Sequence, residues 1–216
     1  MKHRKKFSAA LSLLTAFVLW TAAVRLIDVQ AIGPEGSAVG FSTLNGFIHD
    51  LTGVHWSLYV ITDWLGLVPL CFMLGFALLG LVQWIRRKRF TRVDRSILLL
   101  GGFYLAVIAA YAFFEQYVVN YRPVLINGFL EASYPSSTTL LVLTVMPTAA
   151  MQLKSRIRTP ALSRFVTAAI TAFTLFMVVG RLLSGVHWAT DIIGGVLLSA
   201  GLVTMYAAIL SSDSEA

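Results

Sequence analysis

Long apolar runs separated by short polar stretches dominate this chain. They fall at about Phe7–Val24, Tyr59–Trp84, Ser96–Phe114, Ser136–Leu153, Phe165–Val179 and Trp188–Leu210. Most approach the ~20 residues that a helix needs to cross a bilayer. The pattern predicts an all-α, polytopic membrane protein, a bundle of six transmembrane helices. Gly33–Asp50 is the one sizeable soluble stretch, and Phe41, Leu44, Ile48 and Leu51 recur there and just beyond at helical spacing. That spacing fits a short amphipathic helix in the interface or a packed cap. Ser211–Ala216 is expected to be a disordered tail. A basic start followed by an apolar run also describes a signal peptide. Phe7–Val24 is longer than the usual apolar region of such a peptide and no convincing cleavage site ends it, so a retained helix is expected.

Composition supports the membrane reading. Of 216 residues, 57% are hydrophobic and 12% charged, and soluble domains carry about twice that charged fraction. The length suggests one domain over residues 1–216. The formal net charge of +7 matters through its distribution. Lys2, Arg4, Lys5 and Lys6, then Arg86, Arg87, Lys88, Arg89, Arg92 and Arg95, then Lys154, Arg156, Arg158 and Arg164 share one side of a six-span layout. Only Arg25, Arg122 and Arg181 fall on the other. The positive-inside rule therefore places both termini in the cytoplasm. The basic runs suit topological retention and anionic headgroups. No folded basic surface or aromatic platform for nucleic acid is visible. Cys71 is the only cysteine, so an intrachain disulfide is excluded.

Ionisable residues flanked by hydrocarbon are costly unless they face a polar cavity or one another. The outer-facing polar positions converge on three segments at the outer ends of spans three to six: Glu115–Pro123, Ser133–Thr139 and Gly180–Asp191. A tetrapeptide also recurs, Gly53-Val-His-Trp56 and Gly185-Val-His-Trp188, and is read as coincidence. Asp63, inside the second span, is expected to face the bundle and bond a neighbour.

These segments resemble the motifs of the type 2 phosphatidic acid phosphatase family of membrane lipid phosphatases, related to vanadium haloperoxidases. The family motifs are Lys-x6-Arg-Pro, Pro-Ser-Gly-His and Ser-Arg-x5-His-x3-Asp. Here Arg122-Pro123, Pro135-Ser136, and Arg181, His187 and Asp191 match in order and spacing. Glu115 stands in the lysine's place, Ser137 in the glycine's, Thr138 in the histidine's, and Gly180 where serine precedes the arginine.

The residue chemistry agrees with what the resemblance implies. Planar guanidinium forks suit the spread charge of a phosphoryl group, which nominates Arg122 and Arg181. Ser136, Ser137 and Thr138 open the fourth span, where free backbone N–H groups and the helix dipole form an anion site. Simple N-capping by Ser136 draws on the same geometry. His187 is the expected nucleophile, giving a phosphohistidine that water hydrolyses. Asp191, four residues on, lies on its face if the sixth helix begins there, and holds the imidazole tautomer. At Thr138 the family's histidine implies a general acid, worth ~10²–10⁴ in rate. Its loss predicts a preference for diphosphates, whose leaving phosphate needs a proton less than an alkoxide does. His49, His55 and Glu115 are the candidates to replace the acid, and Glu115 can instead pair with Arg122.

The sequence thus predicts a multi-pass cell-membrane phosphohydrolase with its site on the outer face. Expected substrates are lipid phosphates or diphosphates, polyprenyl diphosphates above all. No metal or other cofactor is implied, since no cluster has ligand spacing. A phosphotransferase using the same intermediate is a close variant. A weakly catalytic protein that binds or translocates lipid or phosphate is the alternative from another class.

Overall fold

A computed structural model describes residues 2–212. Eight α-helices run through the described residues: α1 (Lys2–Leu26), α2 (Ser42–Thr52), α3 (Trp56–Leu65), α4 (Leu67–Arg87), α5 (Arg95–Gln116), α6 (Ser137–Lys154), α7 (Pro160–Leu183) and α8 (Ala189–Ser212). Ser211 and Ser212 close α8 rather than beginning the expected tail, of which residues 213–216 lie outside the described residues.

Five segments are long and apolar enough to cross a membrane: Arg4–Leu26, Trp56–Arg87, Arg95–Gln116, Pro160–Leu183 and Ala189–Ser212. Their outward faces carry exposed Leu19, Trp64, Leu105 and Phe165, as expected of surfaces solvated by hydrocarbon. The run expected over Ser136–Leu153 forms α6, which is less apolar and more buried. Its Val142, Val145, Thr144 and Thr148 are wholly buried, and it packs against α4, α5, α7 and α8. A helix surrounded by protein can carry hydroxyls because its own turns satisfy them: Thr144 and Thr148 donate to Leu140 and Thr144 carbonyls.

The second span is broken where the pattern predicts one helix. Pro69 lacks the N–H that would bond the Leu65 carbonyl. The chain accordingly divides at Gly66, whose N–H bonds the Thr62 and Asp63 carbonyls.

Close backbone approaches set the packing of α8. It lies along α1, with Gly201 beneath Leu14, where an added Cβ would come within 2.7 Å. Gly194 lies under Tyr134 and Gly195 against Thr139. This draws the start of α6 onto α8, and the Ser136 N–H bonds the Asp191 carbonyl at 3.1 Å. Lys6 donates to Ser211 at 3.1 Å, joining the start of α1 to the end of α8. At the same basic end Arg87 pairs with Asp94 at 2.9 Å and Gln152 donates to the Ser96 carbonyl. The motif segments gather at the opposite end.

The expected amphipathic helix is α2, a cap over the motif end. Its start is capped from outside: Asp28 accepts from the Thr43 N–H at 2.7 Å and Ser42 Oγ at 2.8 Å. These bonds and that of Gln30 lower the Asp28 carboxyl to about 2. Asn45 ties α2 to α8 through both the Thr190 hydroxyl and N–H.

Candidate active site

Two tight turns and one irregular loop assemble the site. After α7 the chain turns through Gly185 at φ +68, a conformation open to glycine. A Cβ there would lie 1.9 Å from the Gly53 carbonyl oxygen. The His55 N–H bonds the Ser184 carbonyl beside it. The two Gly-Val-His-Trp tetrapeptides therefore meet in space, although the repeat read as coincidence in the sequence. Across from them, the loop between α5 and α6 folds back on itself. Arg122 N–H bonds the Glu131 carbonyl, and Ser133 N–H bonds that of Asn120. The Trp188 indole donates to the Tyr121 carbonyl at 2.8 Å, pinning this loop to the turn before α8.

His187 lies in that turn, two residues before α8 begins, and is only 4% exposed. The expected helical stacking of His187 on Asp191 is therefore absent. Asp191, in the first turn of α8, reaches back to the Trp188 N–H at 2.9 Å, as a capping-box acid does. Its oxygen stands 3.9 Å from His187 Nδ1, beyond hydrogen-bond reach. Ser133 fills the gap. Its Oγ is 3.0 Å from His187 Nδ1 and 2.5 Å from Asp191 Oδ2. Asn120 donates to the other carboxylate oxygen at 3.2 Å. Neither Ser133 nor Asn120 is singled out by the sequence, since no spacing or periodicity marks a polar loop residue whose partner is far along the chain.

On its other face, His187 Nε2 receives Arg122 Nη1 at 3.2 Å. Arg181 is 1% exposed, with its guanidinium 4.9 Å above the Tyr59 ring. Thr62 Oγ1 and Asp63 accept it weakly, at 3.3 Å and 3.8 Å. Burial, then the charges of Arg122 and Arg181, push His187 well below its ordinary value of 6.5. Arg122 pairs with Glu131 at 3.1 Å rather than with Glu115.

Ser136 precedes α6 but makes no capping hydrogen bond from its side chain. Its Oγ is buried without a partner, and so is Arg181 Nε, whereas Arg122 Nε has the Glu131 carboxylate at 3.1 Å. Buried donors left unpaired are rare and each costs about 1–3 kcal/mol. Two of them fall on residues nominated for anion binding, where an incoming acceptor would satisfy them.

Residues 115–213 match the family model of the PAP2 superfamily. The resemblance read from the three motifs is thus borne out. By fold the chain is similar to a transmembrane PAP2-type phosphatidylglycerolphosphate phosphatase from Bacillus subtilis. That crystal structure superposes with a TM-score of 0.63 at 17% identity, over 95% of this chain and 96% of the other. No curated protein matches the chain by sequence.

The departures from the PAP2 motifs have distinct places. Gly180 faces α3, where a Cβ would lie 2.8 Å from Thr62 Cγ2. The missing serine makes room for the threonine that holds Arg181. Thr138 and Asp63 line an apolar cavity of about 380 Å³ between α4, α5 and α6. Glu115 lines a second, tighter pocket with His187, Ser133 and Ser137, of about 10 Å³, room for a single water. Tyr111 and Ser137 border both. Of the candidates to replace the PAP2 acid, His49 packs on Trp188 at 5.5 Å and His55 is exposed, bonded to the Thr52 carbonyl. Glu115 alone of the three lines the His187 pocket.

Proposed function

We propose that this chain is a single membrane-embedded phosphohydrolase unit, residues 1–216, with six spans and both termini in the cytoplasm. It removes phosphate from lipid phosphates or diphosphates at the outer leaflet of the cell membrane, through a phosphohistidine on His187. The observation that carries the reading is a buried imidazole touched by Arg122, with buried, unpartnered donors on Arg181 and Ser136 in the same motif segments. A phosphoryl group supplies the oxygens those donors lack, and its charge answers the paired guanidinium groups.

Chemistry follows from the same atoms. Arg122 exchanges His187 Nε2 for a phosphoryl oxygen when substrate enters, which frees the nitrogen lone pair. The Nε2–P bond forms as the bond from phosphorus to the leaving oxygen breaks, and that oxygen keeps the electron pair. Water then attacks phosphorus, the P–N electrons return to Nε2, and the water proton leaves to solvent with inorganic phosphate. Arg122, Arg181, Ser136 Oγ and the Ser137 and Thr138 amides at the start of α6 hold the oxygens throughout. The apolar cavity beside Thr138 seats the hydrocarbon chain next to the head.

Thr138 cannot protonate a leaving alkoxide, a loss worth roughly 3–5 kcal/mol of barrier. A departing phosphate is a stable anion without that proton, so polyprenyl diphosphates are favoured over monoesters. Phosphate release in detergent tests the reading, comparing wild type with His187→Ala on a polyprenyl diphosphate and on phosphatidic acid. Loss of release in the variant, with phosphate trapped on His187 in wild type, is expected. Release unaffected by the substitution removes the nucleophile, and tight lipid binding without turnover favours a binding protein.

A further inference from the structure

We propose that Ser133 fixes the His187 tautomer, as a hydroxyl relay between the imidazole and Asp191. This positioning role rests on the phosphohistidine reading above. The chemistry of the partners leaves one consistent arrangement of protons. Arginine has donors only, so Arg122 Nη1 at 3.2 Å requires Nε2 to be the accepting nitrogen. A neutral ring then carries its proton on Nδ1, which donates to Ser133 Oγ at 3.0 Å. The serine's own proton goes to Asp191 Oδ2 at 2.5 Å. The reverse arrangement sets an Nε2–H against an arginine N–H and two oxygen lone pairs against each other.

This order matters because phosphorus must be attacked by the nitrogen without the proton. Nδ1 keeps its hydrogen as the Nε2–P bond forms and the phosphorus–leaving oxygen bond breaks. The ring gains positive charge, which Asp191 balances through the serine. Asp191 is itself held by Asn120 and the Trp188 N–H, so the relay ends on a fixed carboxylate. Without the hydroxyl, the 3.9 Å from Asp191 to Nδ1 is too long for a hydrogen bond. Once Arg122 has turned from Nε2 to a phosphoryl oxygen, the ring is then free to take the Nε2–H form, which has no lone pair facing the substrate.

The test uses full-length protein in detergent with ¹⁵N-labelled histidine, and His187→Ala identifies the His187 signals. With inorganic phosphate added to draw Arg122 away from Nε2, wild type is expected to show the Nδ1–H form, and Ser133→Ala a mixture of tautomers. On a polyprenyl diphosphate, Ser133→Ala is expected to lower kcat by roughly 10²–10⁴-fold, the scale of a lost tautomer lock, with KM little changed. Ser133→Thr, which keeps the hydroxyl, restores most of the loss. An unchanged tautomer and wild-type kcat in Ser133→Ala overturn the proposal. If His187→Ala has lost phosphate release in that case, the functional reading stands without it. Full release by His187→Ala instead overturns the reading and the relay together. Should Ser133→Ala misfold, the wild-type spectrum decides, because an Nε2–H tautomer there contradicts the relay.

Discussion

In the proposed reaction, His187 is a base made weak so that it can act as a nucleophile at neutral pH. Burial and two nearby guanidinium groups disfavour its proton, so the lone pair stays available where an ordinary histidine begins to protonate. The acid limb of kcat/KM in a pH–rate profile is therefore expected below pH 6.5. Stability follows the same sign. The unfolded chain binds the His187 proton near pH 6.5 and the folded one does not, so this group destabilises the fold as pH falls below that value. The proposed anion clamp gives a second expectation. Arg181→Ala should lower kcat about 10²-fold, the usual scale for one lost donor to a developing oxyanion, and Arg181→Lys should recover only part because a point charge replaces a fork. Steady-state kinetics on a diphosphate would read both. Thr138→His should raise monoester turnover by about 10²-fold, and diphosphate turnover much less, if an acid is what the motif lacks.

The elements place these side chains through contacts too close for ordinary residues. Gly185 meets Gly53 backbone to backbone, in a left-handed conformation that alanine adopts at a penalty. Gly185→Ala should destabilise the folded protein by roughly 1–3 kcal/mol. It should also reduce activity more than Gly75→Ala, at a helical glycine with open space around it. Thermal unfolding in detergent and kcat would show both. The break at Gly66 and Pro69 has a comparable function. It lets α3 lean on α7, where Thr62 meets Arg181, while α4 continues toward the basic end. Periodicity could not reveal this division, because the residues on both sides are equally apolar.

The whole molecule separates two kinds of charge. Basic clusters collect at the end joined by Lys6–Ser211 and Arg87–Asp94, while the motif arginines lie at the other. If the basic end is cytoplasmic, a membrane-impermeant thiol reagent applied to intact cells should label Glu35→Cys and spare Arg89→Cys, both in a Cys71→Ser background. Labelling of the second alone would invert the proposed orientation. The helical membrane architecture and the resemblance to the PAP2 superfamily were legible in the sequence, and so was the nomination of His187, Asp191, Arg122, Arg181 and Ser136. Hydrophobic runs and motif spacings are local along the chain, so they survive without coordinates. Packing decided the rest. It put Ser133 between His187 and Asp191, paired Arg122 with Glu131 instead of Glu115, and brought the twin tetrapeptides together. Those contacts join residues far apart in sequence, and whether they form depends on how closely glycines let two backbones approach.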